Sequence, residues 1–211
     1  MSAVNISGRT TKLVTLGLLT AILLLMAYTP LGYLNIGPLA ITLNVIPVAI
    51  AAITLGPEGG AIAGAVFGMT SFLQCIGIGG TSAMGATLFA INPALAFIQR
   101  FIPRLLDGYL LGHIYRIARR KLPTFAECAV TGFFSAFLNT LFFMSSLILL
   151  FGNTDYVKGL IGGRNVIVFV CAFVGVNAVF EMIASTLITG AIGSALKAAG
   201  LVEGEYHDSG N

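Results

Sequence analysis

Residues 94–115 read ALAFIQRFIPRLLDGYLLGHIY, a run long enough to cross a bilayer as a helix, yet it holds two arginines, Arg100 and Arg104, and one aspartate, Asp107. A helical span takes roughly 20 apolar residues, and a cation at its centre costs on the order of a few kcal/mol unless it faces a partner, a wet cavity or the headgroups. Charges kept under that penalty point to binding or transport. Outward from this stretch, further apolar runs lie near 13–29, 39–55, 60–78, 125–151 and 166–196. The expected fold is an all-α membrane protein, a six-transmembrane-helix bundle in one integral membrane domain over residues 1–211, with a disordered polar tail at 201–211. A composition of 57% hydrophobic and 9% charged residues, with a mean hydropathy of +0.96, agrees: most of the surface faces lipid.

Turn residues divide the runs. Pro30, Gly32, Gly37 and Pro38 bracket the first loop, Gly56-Pro57-Glu58-Gly59 makes the second, and Gly77 to Ser82 opens the third. The run at 13–29 leads into Tyr28-Thr29-Pro30-Leu31-Gly32 with no small-x-small cleavage pattern, so it reads as a span rather than a signal peptide. An inside amino terminus puts Arg9, Lys12, Arg116, Arg119, Arg120, Lys121 and Lys197 on the cytoplasmic side and leaves Arg100, Arg104, Lys158 and Arg164 elsewhere. The basic-residue rule thus places both termini in the cytoplasm. The net charge of +3 is a topology signal rather than a nucleic-acid footprint.

Orientation converts position into depth at about 1.5 Å per residue. Span four enters from outside near Asn92-Pro93, which sets Arg100 and Arg104 about 10–18 Å down; Asn139 in span five and Asn177 in span six fall at about 16–18 Å. Thr131, Ser135 and Asn139 recur every four residues, as do Asn177, Glu181 and Ser185, so each set occupies one helical face and turns inward. Arg104 reads either as an ion pair with Asp107 or as a ligand group, and Glu181 as its counter-ion or a proton-coupling carboxylate. Arg100 could also precede the helix, if Pro103 marked the first turn. Asn92, Gln74, Asn44 and Tyr33 fall near the outer loops, where they could complete a lid. The expected substrate site comprises Arg100, Arg104, Asn139, Asn177, Glu181, Asn92, Gln74 and Tyr33.

Enzyme motifs are missing from the sequence: it has no GxxxxGK[ST] loop, no GxGxxG after a strand, no HExxH and no GxSxG. Cys75, Cys128 and Cys171 are far apart, and neither histidine has a partner at ligand spacing, so no metal or other cofactor is expected. Small residues do recur: Gly60, Gly64 and Gly68 form GxxxGxxxG, and Gly17 and Ala21 a small-xxx-small pair, both suited to close helix packing.

Over residues 10–200 the ordered set of motifs resembles the substrate-binding S components of energy-coupling factor (ECF) vitamin transporters. It runs from Gly17-Leu-Leu-Thr-Ala21 through Pro-Leu-Gly-Tyr-Leu-Asn-Ile-Gly-Pro at 30–38, Leu-Gly-Pro-Glu-Gly-Gly-Ala at 55–61 and Phe-Gly-Met-Thr-Ser-Phe at 67–72. Pro103-Arg-Leu-Leu-Asp-Gly and Asn177-Ala-Val-Phe-Glu181 complete it. The resemblance implies a multi-pass subunit in a bacterial cell membrane that captures a vitamin outside and, by toppling in the lipid, delivers it inward. It also implies docking on a transmembrane coupling subunit (EcfT) driven by two ATPase subunits. The family's AxxxA-like docking motif falls on Gly17 and Ala21, glycine replacing its first alanine. Arginine's planar donor fork suits a carboxylate, so pantothenate is the favoured vitamin. Pyridoxine or hydroxymethylpyrimidine, stacked on Phe142 and Phe143, is the runner-up, with riboflavin behind them. A self-sufficient carrier using Glu181 for proton coupling is the alternative of a different class.

Overall fold

The computed structural model describes residues 8–29, 32–35, 40–80 and 82–202. Its elements are α1 (Gly8–Tyr28), β1 (Tyr33–Asn35), β2 (Ala40–Thr42), α2 (Val45–Leu73), a 3-10 turn (Gln74–Ile76), α3 (Ala83–Ile91), α4 (Pro93–Ala118), α5 (Thr124–Phe151), α6 (Asp155–Ile161) and α7 (Val166–Ala198). Among the described residues the regular structure is helical apart from an antiparallel pair of strands, in which Tyr33 pairs with Thr42 and Asn35 with Ala40. Strand β2 lies where the sequence predicted the start of a span at 39, so the helix there begins at Val45.

Among the described residues, length and apolarity alone pick out four helices able to cross a membrane: Thr10–Tyr28, Val45–Ile76, Thr124–Phe151 and Asn177–Ala198. The count reaches five if Asp155–Ile161 and Val166–Gly175, bent by 80°, form one broken span. This is fewer than the six expected. Two expected spans fall within α2, which is two helices joined at Gly56, whose φ of 74° and ψ of −166° no helix accommodates and a side chain rarely adopts; a Cβ at Gly60 would lie 2.9 Å from that of Ala52, so the second helix turns back beside the first. The expected fourth span is α4, a 26-residue helix whose Arg100, Arg104, Asp107 and Arg116 dilute its apolarity.

Polar caps start α3, α4 and α7, supplying acceptors for the first free N–H groups. Ser82 Oγ accepts from Gly85 N at 3.1 Å, Asn92 Oδ1 from Leu95 N at 3.1 Å and Asn165 Oδ1 from Ile167 N at 2.8 Å. Residues 152–164 and the segment after Ser82, expected as loops, carry the short helices α6 and α3.

The GxxxGxxxG face lies inside the protein. A Cβ at Gly60 would collide with the Gly108 carbonyl of α4, and one at Gly64 with the Arg104 carbonyl. Bare glycine thus lets the two backbones touch and fixes the α4 residue that carries the buried cation. Gly64→Ala must push α4 away or distort it, at an expected loss of about 1–3 kcal/mol of stability. An unchanged unfolding midpoint in detergent would contradict this packing.

At the opposite end of α5 from the arginines, Lys197 Nζ lies 2.6 Å from Glu127 Oε1, and the Tyr115 hydroxyl donates to the same oxygen at 3.4 Å. This cluster ties α4, α5 and α7 together. Val202 is fully buried beside Ile53, Tyr115 and Cys128, so packing reaches past the expected tail boundary at 201; residues 203–211 lie outside the described residues. Helix α1 differs from the rest. It buries Leu19, Leu23 and Ala27 but leaves Leu13, Val14, Leu18 and Leu25 61–65% exposed, and a Cβ at Gly17 would meet nothing within 4 Å.

Candidate functional site

Helix α4 starts at Asn92-Pro93, so Pro103 is interior and both arginines are helical. That settles the alternative in which Arg100 preceded the helix. Pro103 has no N–H, which leaves the Gln99 carbonyl without its usual donor; Arg104 Nη1 supplies one at 3.2 Å. The proline therefore helps to hold the guanidinium of the next residue.

Both arginines are buried, and both lie against one ring. The Arg100 guanidinium carbon is 5.2 Å from the Phe143 centroid and that of Arg104 4.7 Å, and the Phe67 centroid is 5.5 Å from that of Arg104. Such contacts favour a cation in a dry setting. Arg100 also donates to Ser71 Oγ at 3.5 Å and to Ser82 Oγ at 3.3 Å. These are longer than the roughly 2.7–2.9 Å of a charge-assisted bond, so an incoming carboxylate could take shorter ones. Gly85 makes room: a Cβ there would lie 3.0 Å from Arg100 Nη2.

Arg104 interacts electrostatically with two buried carboxylates, Asp107 on its own helix and Glu181 on α7. Glu181 has a second task, since its Oε1 accepts the backbone N–H of Thr42 at 2.7 Å and anchors the hairpin to α7. Asn139 is buried one turn before Phe143, on the same face of α5, and its Oδ1 has no hydrogen-bond partner among the described residues. Asn177 is partly buried on α7, one turn before Glu181.

Two of the other expected members make structural hydrogen bonds. Asn92 caps α4, and Gln74 Nε2 donates to the Ala27 carbonyl at 3.0 Å, tying the end of α2 to α1. Tyr33 belongs to β1, but its side chain lies outside the described residues. Four further polar or aromatic residues, not expected from the sequence, lie on or beside the arginines' own helix and neighbours. Phe67, Ser71 and Ser82 contact the arginines, and Gln99 is wholly buried with both amide atoms lacking partners among the described residues. Gln99 was legible in principle, as an uncharged polar residue beside Arg100 inside an apolar helix. Among the described residues no group of histidine, cysteine and acidic side chains could hold a metal ion.

Several helices apolar enough to cross a membrane, packed around two buried arginines, define a polytopic membrane protein. Residues 11–193 match the family described as ECF transporter, substrate-specific component, and the chain belongs to that family. It is similar to the pantothenate transporter PanT of Leuconostoc mesenteroides, 30% identical over 200 residues covering 90% of this chain and 94% of that one. It is also similar to the pantothenic acid transporter PanT of Lactococcus lactis, 29% identical over 184 residues covering 79% and 83%.

Proposed function

We propose that this chain is the pantothenate-binding subunit of an ECF importer in a bacterial cell membrane, spanning it six times with both termini in the cytoplasm. The six spans are α1, the two halves of α2 on either side of Gly56, α4, α5 and α7. The observation that carries the reading is the pair of buried guanidinium groups that both lie against the Phe143 ring, a cationic and aromatic centre suited to one small carboxylate. The names of the two relatives support the choice of vitamin.

The chain's own residues bind and orient. Arg100 and Arg104 take the carboxylate, Asn139 and Asn177 hydrogen-bond the amide and hydroxyl groups, and Glu181 balances Arg104 while holding the hairpin over the site. Gln74, Asn92 and Tyr33 shape the outer rim. A transmembrane coupling subunit docks on the exposed α1 face around Gly17 and Ala21, and two ATPase subunits drive release. In proteoliposomes, pantothenate uptake should require the coupling subunit, both ATPase subunits and ATP. Uptake by this chain alone would establish a self-sufficient carrier instead.

A further inference from the structure

Asn44 stands just before α2 and is fully buried, yet neither its Oδ1 nor its Nδ2 has a hydrogen-bond partner among the described residues. It does not cap the helix it precedes. A buried amide with both ends unmet is unfavourable unless something else satisfies it.

Its location follows from the packing of α2 on α5. Ser135 Oγ of α5 donates to the Val45 carbonyl at 2.9 Å, and nearer the opposite end Ile53 clusters with Cys128, so the two helices run antiparallel. One step back from Val45, to Asn44, the backbone therefore runs along α5 from Ser135 towards Asn139, while the Asn44 amide nitrogen lies beside Gly32, 3.0 Å from where a Cβ would stand there. Asn139 Oδ1 is also unmatched among the described residues, and Phe143 with its arginines stands one turn further on. On its other side, Asn44 follows Thr42, whose N–H is held by Glu181 within the field of Arg104.

We infer that Asn44 and Asn139 form a second subsite, one helical turn along α5 from the arginines, which hydrogen-bonds the hydroxyl end of the ligand and so fixes which way round it enters. This rests on the pantothenate reading. A carboxylate placed between Arg100 and Arg104 leaves the vitamin's other end to reach along α5, where the unmatched amides offer both donors and acceptors.

Asn44→Leu nearly preserves shape while removing both polar atoms. In the full-length purified chain it should weaken pantothenate binding about 10- to 100-fold. The ligand-free unfolding midpoint should hold or rise, because an apolar group replaces one that nothing satisfies. Pantothenol, which keeps the hydroxyls and lacks the carboxylate, should compete for the wild type and cease to compete for the variant. Unchanged affinity would overturn the subsite, and so would a midpoint several degrees lower, which would mark Asn44 as structural. Failure of pantothenol to compete in the wild type would overturn the orientation. If Asn44→Leu does not fold, Asn44→Ala serves for the same measurements. A wild type that ignores pantothenate ends the functional reading separately; the ligand-free midpoint then decides the role of Asn44 alone.

Discussion

Replacing Arg104 with glutamine is expected to weaken pantothenate binding by about 30-fold or more, a loss of roughly 2 kcal/mol at least. Arg104 is 5% exposed, so a carboxylate bound to it is desolvated, and truncating one partner of such a pair leaves the other charge buried alone. The competing account assigns Arg104 to Asp107, Glu181 and the Gln99 carbonyl, all of which it also serves. Titration calorimetry separates the two. A folded Arg104→Gln protein with wild-type affinity would reduce the arginine to a structural role, and Arg100 would then be the carboxylate's main partner.

A still larger effect is expected from bulk on α1. Gly17 and Ala21 lie one turn apart on the exposed face, where a Cβ on Gly17 would meet no atom of this chain. Changing both to leucine should therefore leave folding and pantothenate binding nearly intact, yet prevent another helix from approaching closely. Co-purification with the coupling subunit and ATP-driven uptake should fall to background. Loss of vitamin binding in the double variant would mean that α1 contributes to the site. Normal uptake would place the docking surface elsewhere.

Much of the architecture was legible because a bilayer imposes simple rules. Apolar length marks α1, α5 and much of α7, and the glycine spacing of α2 announced a close helix contact, here with α4. Legibility failed where local chemistry competes with apolarity. Ala40–Thr42 is apolar enough to extend a span but pairs as a strand, and α3 looked like loop because glycines precede it. Four charges in α4 hide its length from an apolarity criterion even though the packing that buries them is what makes the helix informative.

The site divides in the same way. Polar residues at four-residue spacing pointed to Asn139 and Glu181, since such stripes are untenable against lipid. Nothing in that spacing could tell that Glu181 also fastens the hairpin, or that Phe143 would sit against both guanidinium groups, because those contacts join α7 to β2 and α5 to α4. Asn92 and Gln74 show the converse. Their position near the outer loops suggested ligand contact, whereas their hydrogen bonds serve a helix start and a helix junction.

The central claim is that this chain, alone and without ATP, binds pantothenate through its paired arginines. Equilibrium titration of the purified, full-length protein with pantothenate, with pyridoxine and hydroxymethylpyrimidine run alongside, tests it most directly. The account predicts saturable binding of one pantothenate per chain, with no comparable signal from the two neutral rings. Absent pantothenate binding in a folded preparation, or tighter binding of either ring, would contradict it.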